Sequence, residues 1–133
     1  MTAKQASILV VDDEETVRSL VKRVMQDAGY DVTTAANGEE ALSILSQQKE
    51  RTPDLVILDI MMPGLSGLEV LDIIRRRFDI PVIMLTAKQE VSTARHAFAL
   101  GADDYVRKPF STGELLVRVK AKLRRAGLKQ IEE

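Results

Sequence analysis

The sequence predicts an α/β fold in which helices cover both faces of a five-stranded parallel sheet. Three observations support this prediction. Five short apolar runs alternate with five stretches in which apolar residues recur at helical spacing. No long linker interrupts this alternation, as is typical of repeated strand–helix units. The 133 residues are the length of one domain and are enough to bury a core without disulfides or a structural metal.

The predicted strands are short, and three of them are continuously apolar. They are residues 7–11, 31–36, 55–58, 80–85 and 105–106. The first, third and fourth are apolar throughout, which is typical of strands that helices cover on both sides. The second is mixed and the fifth is very short, so these two are expected at the sheet edges.

Turn and cap signals separate the predicted helices from the strands. The helices run through residues 17–28, 41–45, 68–74, 90–100 and 111–123. The signals between them are Gly29, Asn37-Gly38, Pro63–Gly67 and Gly101. The last helix begins at a Ser111 cap, with Glu114 three residues later as in a capping box.

The strand compositions and the right-handed crossover rule predict the strand order 2-1-3-4-5. In this order the first strand lies beside the third, and the chain changes direction between them. Ligands of open α/β sheets bind at the carboxyl ends of the strands, at that switch point. The sequence therefore predicts a site at this edge of the sheet.

Polar residues follow four of the strands at this edge. They are Asp12, Asp13, Asp59, Thr86 and Lys108. Taken singly, each has an ordinary explanation, because an Asp or Thr after a strand is often only a cap and a loop lysine is often only solvated. Their coincidence at neighbouring strand ends favours a functional site.

Composition excludes several classes of function. Lys plus Arg total 19 and Asp plus Glu total 20, so a formal charge of −1 argues against direct nucleic-acid binding. With no Cys and one His, thiolate metal sites are excluded and a hard ion bound by oxygen ligands, such as Mg²⁺, is favoured. No apolar run is long enough to span a bilayer, so no membrane association and a cytoplasmic location are expected.

Five sequence pieces together resemble the receiver domains of two-component response regulators, the CheY-like family. They are Val10–Glu14, Asp54–Gly64, Leu85–Ala87, Gly101–Tyr105 and Lys108–Phe110. The resemblance covers about residues 7–125 and implies a flavodoxin-like (βα)5 doubly wound sheet of order 2-1-3-4-5. We expect residues 1–125 to form the receiver domain and residues 126–133 to form a tail or the start of a linker.

The resemblance implies that Asp59 is the phosphoacceptor. Its donor would be a sensor histidine kinase or a phosphotransfer protein. Asp13 and Asp59 would bind Mg²⁺ directly, Asp12 directly or through water, and Met61 through its backbone carbonyl. Mn²⁺ can substitute for Mg²⁺ by the same implication.

The resemblance also implies how the phosphoryl group is held and sensed. Lys108 and the Ala87 backbone N–H would bind phosphoryl oxygens, and Thr86 would donate its hydroxyl to another. Tyr105 would turn inward as Thr86 moves, changing the face made by helix 4, strand 5 and helix 5. Tyr105 could otherwise simply be an aromatic that covers the core at an edge strand. The Lys108–Pro109 bond is expected to be cis.

A subfamily resemblance points to transcription regulation. Asp104 and Arg118 match a cross-subunit ion pair of receivers from the OmpR/PhoB winged-helix transcription factors, which dimerise through that face. Ala94 stands where that subfamily usually has a basic partner for Glu114. The output would then be carried by a domain absent from these residues. The alternative is a stand-alone receiver that acts by protein–protein interaction or as a phosphorelay intermediate.

The chain is expected to be a signalling module and not an enzyme, although it would promote its own phosphoryl transfer. Met61 and Lys88, two residues past Asp59 and Thr86, offer no carboxylate or amide to position water, which predicts slow autodephosphorylation. An aspartyl phosphatase would need a second acid where Met61 stands. A flavin-binding electron-transfer protein would need aromatic side chains around the ring, and the chain has no Trp and two Tyr.

Overall fold

The computed structural model describes residues 5–47, 52–87 and 91–131. Its strands are β1 (Ser7–Val11), β2 (Asp31–Ala35), β3 (Leu55–Asp59), β4 (Val82–Thr86) and β5 (Asp104–Arg107). Its helices are α1 (Glu15–Asp27), α2 (Gly38–Gln47), α3 (Gly67–Arg77), α4 (Val91–Ala99) and α5 (Thr112–Ile131). The predicted alternation of five strands and five helices is confirmed.

All neighbouring strands are parallel, and their order is β2-β1-β3-β4-β5. This confirms the predicted order, including the two edge strands. In the central pairs Val10 lies opposite Ile57, and Asp59 lies opposite Leu85. The carboxyl ends of β1, β3 and β4 are therefore side by side.

Helices cover both faces of the sheet. Successive side chains of a strand point to opposite faces, so each strand contributes to a core on either side. In β1, Leu9 and Val11 join one core and Ile8 and Val10 join the other. The first core includes residues of α2, α3 and α4, which are Ala41, Leu45, Val70, Leu71, Ile74 and Ala97. The second includes residues of α1 and α5, which are Val21, Met25, Leu115 and Val119.

The cap signals at Asn37 and Ser111 act where the sequence placed them, and one strand begins later than predicted. The Glu40 N–H donates to Asn37 Oδ1 over 2.7 Å, and the Glu114 N–H donates to Ser111 Oγ over 3.2 Å. Strand β4 begins at Val82, later than the predicted residue 80. Pro81 has no N–H and so cannot donate to the ladder, although its carbonyl accepts a bond from the Val56 N–H.

Gly67, the first residue of α3, lies directly against the end of β3. Its N–H donates to the Ile60 carbonyl over 2.9 Å. A Cβ at this position would overlap the Asp59 carbonyl oxygen and lie 2.6 Å from Ile60 Cα. The absence of a side chain therefore allows α3 to start beside the strand that carries Asp59.

The last helix continues past the predicted domain boundary at residue 125 and reaches Ile131. Residues 132–133 of the predicted tail, Lys88 and the predicted start of helix 4 at residue 90 lie outside the described residues. Among the described residues, no helix is both long and apolar enough to cross a membrane.

Candidate functional site

The site lies at the carboxyl edge of the sheet, and three separate segments build it. Asp12 follows β1, Asp59 is the last residue of β3, and Lys108 follows β5. Asp12 and Asp59 are buried, with 1% and 2% of their surface exposed. Two buried carboxylates on adjacent strands need a cation nearby, because burial and mutual repulsion both disfavour their charged forms.

The Lys108 ammonium supplies that positive charge in the structure. Its Nζ lies 3.0 Å from Asp12 Oδ2, 3.0 Å from Glu14 Oε1 and 3.5 Å from Asp59 Oδ2. The sequence predicted that Asp12, Asp59 and Lys108 would converge, and the structure brings these three together.

The pKa of Asp59 is raised from 3.8 to about 7. Burial is the largest cause, and the negative charge of Asp12 adds to it. The Lys108 charge and the hydrogen bond from the Met61 N–H to Asp59 Oδ1, 3.2 Å long, act in the opposite direction. Without a further cation, a proton therefore competes for the Asp59 carboxylate near neutral pH.

The pKa of Lys108 is raised above its ordinary value, although burial alone lowers it. The hydrogen bond to Glu14, the close contact with Asp12 and the negative charges of Asp59 and Asp12 outweigh the burial. Lys108 is therefore a permanent positive charge at neutral pH.

The described residues contain an acidic pocket whose chemistry fits a hard cation. Carboxylate oxygens of Asp12, Glu14 and Asp59 all lie within 4.8 Å of one another. Asp12 Oδ2 is buried and accepts no hydrogen bond within the described part of the chain, so its contact with Lys108 is an ion pair only. Mg²⁺ prefers oxygen ligands and is usually bound through one or two carboxylates, so this oxygen-only group fits it.

This group differs in one member from the metal ligands that the sequence implied. Asp13 is exposed and does not belong to the group of converging carboxylates, whereas Glu14 does. A role for Asp13 as ligand stays a prediction, as does the role of the Met61 carbonyl. Sequence reasoning assigned nothing to Glu14, because strand-end position identifies only residues that directly follow a strand.

Two hydrogen bonds within the segment from Asp12 to Arg18 help to hold the loop between β1 and α1. The Glu14 N–H donates to Asp12 Oδ1 over 2.9 Å, and Arg18 Nη1 donates to the Asp12 carbonyl over 2.8 Å. Arg18 therefore orients the Asp12 main chain from the first turns of α1. The only sequence signal for it was its place one turn after an exposed acid, which many surface arginines share.

Thr86 is the last residue of β4 and Ala87 follows it, next to the strand that ends at Asp59. Thr86 is fully buried, and its carbonyl accepts a hydrogen bond from the Lys108 N–H over 2.8 Å. Ala87 is exposed at the rim. The Lys108–Pro109 peptide bond is cis, as the sequence resemblance implied.

Tyr105 lies on β5 and is half-buried. It is opposite Met84 in the ladder, and its ring centroid is 6.4 Å from that of Phe98 on α4, with the ring planes at 42°. Phe98 is half exposed. Tyr105 thus links the edge strand to α4, two elements of the predicted output face.

Asp104 and Arg118, predicted to pair across a dimer, are paired within one chain. Arg118 Nη1 lies 2.9 and 3.0 Å from the two Asp104 carboxylate oxygens, and Nη2 lies 3.1 Å from Glu114 Oε2. These hydrogen bonds raise the pKa of Arg118. A dimer that used the same residues would have to exchange these partners.

The five-stranded flavodoxin-like sheet carries an acidic pocket and a lysine at its carboxyl edge. This combination is typical of a phosphoacceptor signalling domain. Residues 8–120 match the model of the response regulator receiver domain. The chain therefore belongs to the response regulator receiver domain family.

A curated relative and two solved structures support the same assignment. The chain is 48% identical over 122 residues to "Probable transcriptional regulator ycf27" of Porphyridium aerugineum, covering 92% of this chain and 50% of that protein. It thus spans about half the length of that relative. A CheY-like receiver of Methanospirillum hungatei superposes with a TM-score of 0.87 at 28% identity, covering 95% of this chain and 99% of the other. The BeF3-activated N-terminal receiver domain of Klebsiella pneumoniae RstA gives 0.82 at 30% identity, covering 89% and 98%.

Proposed function

We propose that this receiver domain accepts a phosphoryl group on Asp59 from a sensor histidine kinase or a phosphotransfer protein, with Mg²⁺ as cofactor. The observation that carries the proposal is the buried Asp59 carboxylate beside the Lys108 ammonium and a second buried carboxylate, Asp12. The domain is a phosphoacceptor in this proposal and not an enzyme with a separate substrate.

The chain's own residues would perform the transfer mainly by holding charge in place. An Asp59 oxygen forms a bond to phosphorus as the donor's bond to phosphorus breaks, and the leaving group keeps that electron pair. Lys108 pairs with a phosphoryl oxygen, which offsets the repulsion between carboxylate and phosphate. The Thr86 hydroxyl and the Ala87 N–H donate to the remaining oxygens.

Mg²⁺ would be held by Asp12 and Asp59, with Asp13 and the Met61 carbonyl as further ligands. When bound, the ion supplies positive charge beside the phosphoryl oxygens. Mn²⁺ offers similar oxygen chemistry and is expected to substitute.

Phosphorylation would shift the equilibrium between two packings of the face formed by α4, β5 and α5. Thr86 lies at the end of the strand that pairs with both β3 and β5, so its movement can reach Tyr105. Tyr105 in turn contacts Phe98 on α4. The changed face would then control an output.

The proposed output is transcription, carried by a domain outside these residues. It is supported by the relative named as a transcriptional regulator, of which this chain covers half. A homodimer formed through the α4–β5–α5 face would require Arg118 to exchange its contact with Asp104 for the partner's. A cytoplasmic location stays a prediction.

Mg²⁺-dependent labelling with acetyl phosphate tests the proposal. The intact protein should gain one phosphoryl group, and Asp59→Ala should gain none, because the nucleophile is missing. Asp72→Ala, which removes an exposed aspartate of α3, is the control and should label normally. Labelling of Asp59→Ala would refute the assignment, and an unchanged size in solution on labelling would refute phosphorylation-driven dimerisation.

We further expect the acyl phosphate to be long-lived. The Met61 side chain is half exposed beside Asp59, and a thioether is too weak an acceptor to position an attacking water. Met61→Asn introduces an amide there and should speed release of phosphate severalfold, whereas Met61→Leu should not. Decay of the wild-type phosphoprotein within seconds, or equal decay of Met61→Asn, would contradict this expectation.

A further inference from the structure

We propose that Glu14 holds Lys108 before phosphorylation and competes with the incoming phosphoryl group for its ammonium. The inference rests on the proposed function and adds a restraint on the same site. Glu14 Oε1 accepts a hydrogen bond from Lys108 Nζ over 3.0 Å. Ninety-four positions separate the two residues in the sequence, so only the fold brings them together.

The ammonium of Lys108 has three carboxylates within 3.5 Å. A lysine ammonium has three protons to donate, and the structure places three carboxylate oxygens around it, from Asp12, Glu14 and Asp59. Only 11% of the Lys108 side chain is exposed, which leaves little access from solvent. A phosphoryl oxygen that approaches Lys108 therefore competes with these carboxylates for the ammonium.

Glu14 is the member of the group that can leave. Its side chain is 57% exposed, compared with 1% for Asp12 and 3% for Asp59. If Glu14 rotates into solvent, water hydrates its carboxylate. Moving either buried carboxylate away from Lys108 would instead leave a buried charge without a partner. The Glu14 N–H stays bonded to Asp12 Oδ1, so the loop keeps its place while the side chain turns.

The restraint has two physical components that act in the same direction. Glu14 accepts a hydrogen bond from Lys108 that a phosphoryl oxygen would otherwise accept. It also adds a negative charge where an anionic phosphodonor must approach. Removing this carboxylate should therefore speed phosphorylation once Mg²⁺ is saturating. Glu14 is thus a positioning residue that acts through Lys108.

The test compares labelling rates of the wild type with Glu14→Gln, Glu14→Ala and Glu15→Gln, using acetyl phosphate at saturating Mg²⁺. Glu15, the next residue, is exposed and begins α1, so Glu15→Gln makes the same charge change away from Lys108. The Glu14 side chain makes no cap hydrogen bond to α1, so its truncation removes no helix cap. We expect both Glu14 variants to label about 3-fold faster or more, the factor for release of a partly exposed ion pair, and Glu15→Gln to match the wild type.

Mg²⁺ affinity, measured by calorimetry on the same proteins, separates this role from that of a metal ligand. If Glu14 only restrains Lys108, its variants bind Mg²⁺ nearly as tightly as the wild type. Labelling that is unchanged or slower, or a loss of affinity of about 10-fold or more, would overturn the proposal. Failure of the wild type itself to label would overturn the proposed function and this inference together, whereas equal rates overturn only the inference.

Discussion

Replacing Gly67 with alanine should destabilise the domain by at least about 3 kcal/mol, the upper range for overpacking a tight contact. A Cβ there would overlap the Asp59 carbonyl oxygen and lie 2.6 Å from Ile60 Cα. Both neighbours are backbone atoms, which cannot rotate away as a side chain can. Either α3 or the end of β3 must shift, and a shift of β3 displaces the Asp59 carboxylate.

Urea unfolding of Gly67→Ala and Gly113→Ala measures this cost against a matched control. A Cβ at Gly113, in the first turn of α5, would meet only Ser111 Oγ at 3.6 Å. Because alanine suits a helix better than glycine, Gly113→Ala should be neutral or more stable by up to about 1 kcal/mol. Equal unfolding free energies for the two variants would show that α3 does not depend on a missing side chain at residue 67.

Asp59→Asn should make the metal-free domain more stable at neutral pH, even though it removes the phosphoacceptor. The pKa of Asp59 is raised from 3.8 to about 7, so the folded state disfavours the charged form of this carboxyl group. One pKa unit corresponds to about 1.4 kcal/mol, so the shift sets an upper limit of about 4 kcal/mol. We expect a gain of about 2 kcal/mol, because asparagine keeps the shape without the charge.

The pH dependence has a definite sign. Between the two pKa values the folded state binds more protons than the unfolded state, so stability falls as pH rises. The contribution of protonated Asp59 is complete below about pH 4 and is lost as pH rises through about 7. The advantage of Asp59→Asn over the wild type should therefore grow from pH 4 to 8.

Thermal or urea unfolding in a chelator at pH 4 to 8 measures this advantage. Asp72→Asn, which changes an exposed carboxylate paired with Arg76, should differ from the wild type by less than about 0.5 kcal/mol throughout. Mg²⁺ at 100 times its dissociation constant should restore about 2.7 kcal/mol to the wild type and less to Asp59→Asn. If Asp59→Asn is less stable than the metal-free wild type at pH 8, burial of the charged Asp59 carboxylate does not destabilise the folded state.

Much of the architecture was predictable from local patterns. Apolar runs such as residues 55–58 predicted central strands, and the mixed second run predicted an edge. The order of the strands then placed Asp12 and Asp59 at one edge, and the structure confirms this with both side chains buried. These predictions succeeded because strand period, strand covering and crossover handedness depend on residues close in sequence or on general rules of parallel sheets.

Other features depended on distances that no spacing in the sequence encodes. Glu14, and not Asp13, belongs with Asp12 and Asp59, because the turn after β1 directs its side chain towards Lys108. Arg118 reaches Asp104 of its own chain because the fold brings these two residues of α5 and β5 together. The pairing of the two residues across a dimer stays a prediction.

By itself, the sequence determined the fold class, the strand order, the edge that carries the site and the residue types found there. The tertiary structure alone decided which carboxylates share the Lys108 ammonium, how exposed each one is, and where a side chain at Gly67 would collide. The physical reason is that periodicity reports which face a residue occupies. Contacts within about 3 Å, the length of a hydrogen bond, depend on how separate segments pack.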